Sequence, residues 1–167
     1  TMKQLIQLSD EHNFVIVSDE CYSEIYHTES SPPPGLLQAC DRLNRSTFKN
    51  CLVFNSLSKR SNLPGLRSGF VAGDAELIEK FLLYRTYHGS AMPLHHQFVS
   101  ELAWADEDHV IQNRSLYRKK VSAIKKILET VLSVPVPECG FFLWPKTPCS
   151  DTQFSLDLFE QTNTKTL

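Results

Sequence analysis

Lys59 sits where an apolar run, Cys51-Leu52-Val53-Phe54, gives way to a segment punctuated by Pro64, Gly65 and Gly69. Ser56 and Ser58 lie just before it, and Arg67 follows. A lysine amine condenses with an aldehyde and is reactive once its charged form is disfavoured. Hydroxyls and a guanidinium are the donors a phosphate dianion needs, and the arginine fork has a geometry that a lysine does not copy. One segment therefore offers an aldehyde trap and phosphate donors together, the two features that pyridoxal phosphate requires. Each residue alone has a plainer use: serines make turns, and lysines and arginines sit in water. The full pattern is much harder to reach by chance than any member of it.

A second group lies upstream. Phe14-Val15-Ile16-Val17 is a continuous apolar run of the kind that forms a strand buried on both faces, and Asp19 comes after it. Ligands of open parallel sheets collect at the carboxyl ends of the strands. Asp19 either starts a turn there or pairs with a protonated pyridine nitrogen, keeping a ring cationic so that it can accept the electrons of a substrate carbanion. Tyr22 is either a partly buried aromatic or a ligand, and the spacing Asp-x-x-Tyr with Lys59 downstream favours the ligand.

The elements that must position these groups can be read from periodicity. Thr1 can cap a helix over 2–12 whose stripe is Met2, Leu5, Ile6 and Leu8. A helix followed by a buried strand is the α/β pattern, with a mostly parallel sheet flanked by helices. Glu29 to Gly35 is a proline-rich loop, and Leu36, Leu37 and Cys40 face a core from a short helix, with Arg42, Arg45 and Lys49 in solvent. Cys51–Phe54 is the second strand and Gly69–Gly73 contains a third, while Gly65 and Gly69 allow backbone approaches that other residues resist. Asp74 caps a helix that turns Leu77, Ile78, Phe81 and Leu82 inward, and Phe98, Val99 and Leu102 form the core face of the next. A long helix from Asp106 or Asp108 to about Leu132 has its seam at Tyr117, Val121, Ile124, Leu128 and Val131, with a solvated basic face that includes Arg114 and Arg118. Ser133 to Pro137 breaks it, and Thr152 to Thr162 reads as a last helix, with Phe154, Leu158 and Phe159 inward.

Composition narrows the classes. The 167 residues are 41% hydrophobic and 22% charged, a globular balance of one-domain size, and the net charge of -2 gives no support to a nucleic-acid or anionic-membrane partner. The five cysteines, without close pairs, read as reduced thiols of a cytoplasmic protein. No apolar run reaches the roughly 18 residues of a membrane span. His95 and His96 point about 100° apart on a helix and have no companion ligands, so no metal is expected.

Ser56-Leu57-Ser58-Lys59 followed by Pro64-Gly65-Leu66-Arg67-Ser68-Gly69 resembles the lysine signature of the class I and II aminotransferases, the fold type I pyridoxal-phosphate enzymes. Ser18-Asp19-Glu20-Cys21-Tyr22 and Tyr84-Arg85-Thr86-Tyr87-His88-Gly89 bring it nearest to the succinyldiaminopimelate aminotransferases of lysine biosynthesis. The resemblance implies Lys59 as the catalytic residue, and Asp19, Tyr22, Ser56, Ser58, Lys59 and Arg67 as cofactor ligands, with Tyr22 donating to the 3-oxygen. It implies Arg85 for a distal substrate carboxylate and Ser90 near a partner's phosphate in a homodimer. Residues 1–105 would be part of a large cofactor domain, and 106–167 a linking helix with part of a smaller α+β domain whose first strand is Gly140 to Pro145. The implied substrates are amino and 2-oxo acids, namely N-succinyl-LL-2,6-diaminopimelate and 2-oxoglutarate. The resemblance also implies an internal piece of a longer enzyme, nearly inactive alone, because other cofactor and carboxylate ligands of the family lie outside it. A β-elimination lyase on the same fold, or a non-catalytic regulator domain, would use the same lysine and aspartate.

Overall fold

The computed structural model describes residues 1–45 and 47–166. It is part of an α/β domain with a mixed sheet flanked by helices. Helix α1 (Met2–His12) ends at Asn13, which takes the left-handed conformation (φ 52°) that asparagine tolerates. Strand β1 (Ile16–Asp19) follows, then α2 (Leu36–Asp41), β2 (Cys51–Ser56), the single turn α3 (Leu57–Arg60), a 3-10 turn (Pro64–Leu66) and β3 (Gly69–Gly73). Four helices complete the chain: α4 (Ala75–His88), α5 (Leu94–Ala105), α6 (Asp108–Leu128) and α7 (Asp151–Thr162).

The three strands lie in the order β1-β2-β3. β1 and β2 are parallel, with Ile16 opposite Cys51 and Asp19 opposite Phe54. The connection between them carries α2, as a parallel pair requires a crossover. β3 runs antiparallel to β2, with Ser56 opposite Gly69 and Leu52 opposite Gly73. The sheet is therefore mixed, with its parallel pair on the β1 side. β3 begins and ends in glycine because the β2 backbone crowds it. A Cβ on Gly69 would stand 2.4 Å from the Asn55 carbonyl oxygen, and one on Gly73 2.0 Å from that of Cys51. Gly65, expected to have a similar need, faces open space.

The core is Ile6, Ile16, Leu36, Ala39, Cys40, Cys51 and Val53, packed between α1, α2 and the first two strands. The free thiols of Cys40 and Cys51 lie 3.6 Å apart inside it, where burial pushes Cys51 up to about 12. β1 starts two residues later than the apolar run predicts, because the Ile16 amide is the one that meets a neighbour, the Asn50 carbonyl, at 2.8 Å. Phe14, Val15 and Val17 are exposed, Val17 by 61%, so β1 is not buried on both faces. Asp74 caps α4 as its sequence predicts, accepting from the amides of Glu76 and Leu77, and it also accepts from Asn50 at 2.7 Å, which is the main reason its carboxyl is held below the usual range.

Several apolar faces read from periodicity are exposed. Leu82 is 65% and Leu102 71% accessible, and Phe98 and Val99 are exposed with them. The inward face of α6 is Val110, Arg114 and Val121, while Ile124 and Val131 stand in solvent. Arg114 is 5% exposed, against the solvated face expected for it. It donates to the Glu24 carbonyl and to Glu29, each at 3.0 Å, and Arg118 donates to the Tyr26 carbonyl at 3.0 Å and pairs with Glu29. Arg45, also expected in solvent, pairs with Asp10 at 2.9 Å. Gly140 to Pro145 is not a strand; the segment is pinned instead by a bridge between Tyr26 and Cys139 and by the Gly140 amide donating to Ile25 at 2.6 Å.

Among the described residues no helix is long and apolar enough to cross a membrane, and no group of three His, Cys, Asp or Glu could hold a metal ion.

Candidate active site

Parallel pairing brings the ends of β1 and β2 to one edge of the sheet, and the antiparallel β3 brings its beginning to that same edge. Asp19 closes β1, Ser56 closes β2, and Arg67 and Ser68 lead into Gly69. Together with Cys21, Asn55, Ser58 and the apolar side chains Val17 and Phe54, these residues line a cleft of about 490 Å³. That volume is within the range of small-molecule sites.

Each group is held locally. The Asp19 carboxylate accepts from the Cys21 amide at 3.1 Å. The Cys21 thiol and that amide together hold its carboxyl below the usual range, so Asp19 is an anion at neutral pH. The thiol moves the other way. Burial, reinforced by Asp19, pushes Cys21 up to about 11, and the charge of Lys59 opposes the rise. The Ser56 hydroxyl caps α3 by accepting from the Ser58 amide at 3.0 Å. The Ser56 and Ser58 hydroxyls are 2.8 Å apart, and Ser56 also reaches the Ser68 carbonyl at 3.1 Å. When Ser56 donates to Ser58, the Ser58 proton is available to an anion in the cleft. Arg67 sits in the left-handed region (φ 54°), a conformation that costs about 1 kcal/mol outside glycine, and one Nη donates to the Pro64 carbonyl at 2.8 Å. Arg67 is exposed and lines the cleft.

Lys59 follows the cleft residue Ser58 on α3, but its side chain is not part of the cleft wall. Its Nζ lies 5.3 Å from the Phe141 ring centre and 5.8 Å from that of Tyr22, within cation–π range. Its charge is felt at Cys21, on the cleft wall. Phe141 is stacked on Tyr117 at 5.0 Å and 15°. Tyr22 packs against Phe141 and Phe142 and lines a second cavity of about 310 Å³ with Pro135, Val136, Pro137, Cys139, Gly140, Phe142 and Trp144. Asp19, Ser56, Ser58 and Arg67 are thus gathered in one cleft, and Tyr22 belongs to the aromatic cavity beyond Lys59. Arg85 and Ser90 line neither cavity; they are exposed near the end of α4, where Arg85 reaches the Ser90 carbonyl at 3.5 Å.

The cleft fits a phosphorylated, protonable ring. It offers hydroxyls and a guanidinium for a dianion, a fixed carboxylate for a cationic nitrogen, and Val17 and Phe54 for the ring itself. Sequence reading misses Cys21, Asn55 and Phe141. Cys21 could have been found from its place two residues beyond Asp19. Phe141 gives no local signal, because its neighbours come from distant parts of the chain.

The family model for class I and II aminotransferases matches residues 1–164. An LL-diaminopimelate aminotransferase from Halothermothrix orenii is 30% identical over 164 residues, covering 96% of this chain and 41% of the relative. The 4-dedimethylamino-4-oxo-anhydrotetracycline transaminase OxyQ of Streptomyces rimosus is 32% identical over 144 residues, 86% of this chain and 39% of the relative. The solved structure of an aminotransferase from Neisseria meningitidis Z2491 superposes with a TM-score of 0.88 at 52% identity, covering 95% of this chain and 40% of that one. The chain therefore spans about two fifths of the length of the proteins it matches.

Proposed function

This chain belongs to the class I and II aminotransferases, and we propose that it carries the cofactor-holding part of a pyridoxal-phosphate enzyme that moves an amino group between an amino acid and a 2-oxo acid. The observation that carries the proposal is the meeting of Asp19, Ser56, Ser58 and Arg67 on one cleft at the sheet edge, with Lys59 on the adjoining turn. When bound, pyridoxal phosphate supplies an electron sink for a substrate carbanion.

In this reading Ser56, Ser58 and Arg67 would hold the phosphate, through hydroxyls and a guanidinium. Asp19 keeps the ring nitrogen protonated, a task for which its lowered carboxyl suits it. Lys59 Nζ is the anchoring amine, and once free it holds the proton taken from the substrate α-carbon. Tyr22, which packs on Phe141 and Phe142 outside the cleft, would be the donor to the 3-oxygen. The division into 1–105 and 106–167, a cytoplasmic homodimer, and roles for Arg85 at a distal carboxylate and Ser90 at a partner's phosphate belong to the same proposal. N-succinyl-LL-2,6-diaminopimelate and 2-oxoglutarate are the proposed substrates; one relative is an LL-diaminopimelate aminotransferase, whose name gives the same amino acid without the succinyl group.

Borohydride reduction of the cofactor-loaded protein, followed by peptide mapping, tests the reading. Label on Lys59 is expected, and label on any other lysine overturns it.

A further inference from the structure

Lys59 lies on a helix of one turn, Leu57–Arg60. The last carbonyls of a helix have no partner within it, and in so short a helix that leaves most of the turn unsupported. The Ser61 amide answers the Leu57 carbonyl at 3.1 Å. The carbonyls of Lys59 and Arg60 are answered from elsewhere: Nδ2 of Asn113, on α6, donates to both at 3.1 Å. Asn113 is half-buried and is 54 residues from Lys59 in sequence.

The same helix reaches the far end of the lysine. Tyr117 is one turn beyond Asn113 and so shares its face. Its ring backs Phe141, and Phe141 lies 5.3 Å from Lys59 Nζ. α6 is in turn tied to the segment after β1, through Arg114 on the Glu24 carbonyl and Arg118 on the Tyr26 carbonyl, each at 3.0 Å. Arg60, 3% exposed, adds a tie to the end of α5 by donating to the Ala103 carbonyl at 3.0 Å.

We propose that Asn113 is a positioning residue for Lys59, holding the backbone of its turn while the Tyr117–Phe141 stack holds its ammonium, so that α6 fixes the lysine at both ends. The functional part of the inference rests on Lys59 being the reacting amine; the geometric part does not. Substitution at Asn113 frees two carbonyls at once and loosens the turn without touching the cleft walls.

The test begins in the cofactor-free protein with amide hydrogen exchange. Asn113→Asp keeps the shape but loses the donor, and Asn113→Ser shortens it. Both are expected to speed exchange in residues 57–63 by about tenfold while 51–56 keep their protection. Phe141→Leu is expected to raise the rate of reductive methylation at Lys59 several-fold relative to the other lysines, and Phe141→Tyr to restore it. In the loaded enzyme Asn113→Asp should lower kcat about tenfold with KM unchanged. Unchanged exchange at 57–63 in both Asn113 variants overturns the inference, as does acceleration spread evenly over the chain. A borohydride label on another lysine would defeat the aminotransferase reading of Lys59 and leave the exchange result standing, so the two failures are separable.

Discussion

The two cavities, which share no lining residue, are made in opposite ways. The polar cleft is built from strand ends and the residues next to them, so Asp19, Ser56, Ser58 and Arg67 owe their places to the register of one small sheet. The aromatic cavity is built from loops, and Tyr22 meets Phe141 and Phe142 where Ile25, Tyr26 and His27 pin the segment from Glu138 to Gly140. The first can bind charge, and the second offers rings and prolines. Lys59 has its neighbour Ser58 in one and its ammonium near a ring of the other. A lysine placed this way can be served by a rigid polar site while its free end rests against an apolar one.

From that contrast, loss of Asp19 should hurt far more than loss of an aromatic wall. Asp19→Ala is expected to weaken pyridoxal phosphate binding by about 30-fold to several thousand-fold, the range for removing one partner of a close charge pair. Phe142→Ala should leave it within about threefold. Fluorescence titration measures both, and equal losses would break the comparison.

Arg67→Lys should have a smaller effect that is confined to the phosphate. Replacing the fork by a point charge is expected to weaken pyridoxal phosphate about tenfold and pyridoxal, which lacks the phosphate, hardly at all. Equal loss for the two compounds would place Arg67 elsewhere.

The smallest effect sharpens the contrast between two thiols. Cys21 is on the cleft wall and Cys139 on the aromatic one. With its ionisation pushed up to about 11 by burial and by Asp19, Cys21 is protonated at pH 8, and its alkylation should rise about tenfold per pH unit until that value is approached. Asp19→Asn removes the negative charge, so ionisation moves down and alkylation at pH 8 should increase several-fold. Cys139 should not respond to the substitution. Mass-spectrometric rates at each cysteine decide it.

How far the sequence could be read follows the same divide. The cleft was legible because its members sit on two apolar runs and one short motif, and a helix followed by a buried strand implies where strand ends gather. Arg114 was not, since a basic residue in a basic stretch looks solvated until Glu24 and Glu29 arrive from the loop after β1. Nor was the resting place of Lys59, which depends on Phe141. The periodicity of α4 and α5 reads as helical and both are helices, but Leu82 and Leu102 remain in solvent, because a repeat says which face is apolar and not what covers it. The displaced start of β1 has a similar cause: apolar character marked Phe14 and Val15, whereas hydrogen bonding began at Ile16.

The reversal of β3 has a consequence for mutational tolerance. The backbone leaves the sheet at Ser56 and returns to the same edge at Gly69, directly opposite. Amine and guanidinium therefore ride on a single excursion whose two feet are fixed by pairing. At its tip Asn62, Leu63, Pro64 and Gly65 are all exposed. Changes of residue type at Leu63 and Gly65 can be absorbed by the excursion, Asn62 being held by its left-handed backbone (φ 54°), whereas a residue inserted within β3 would slide one foot and carry Arg67 away from Ser56.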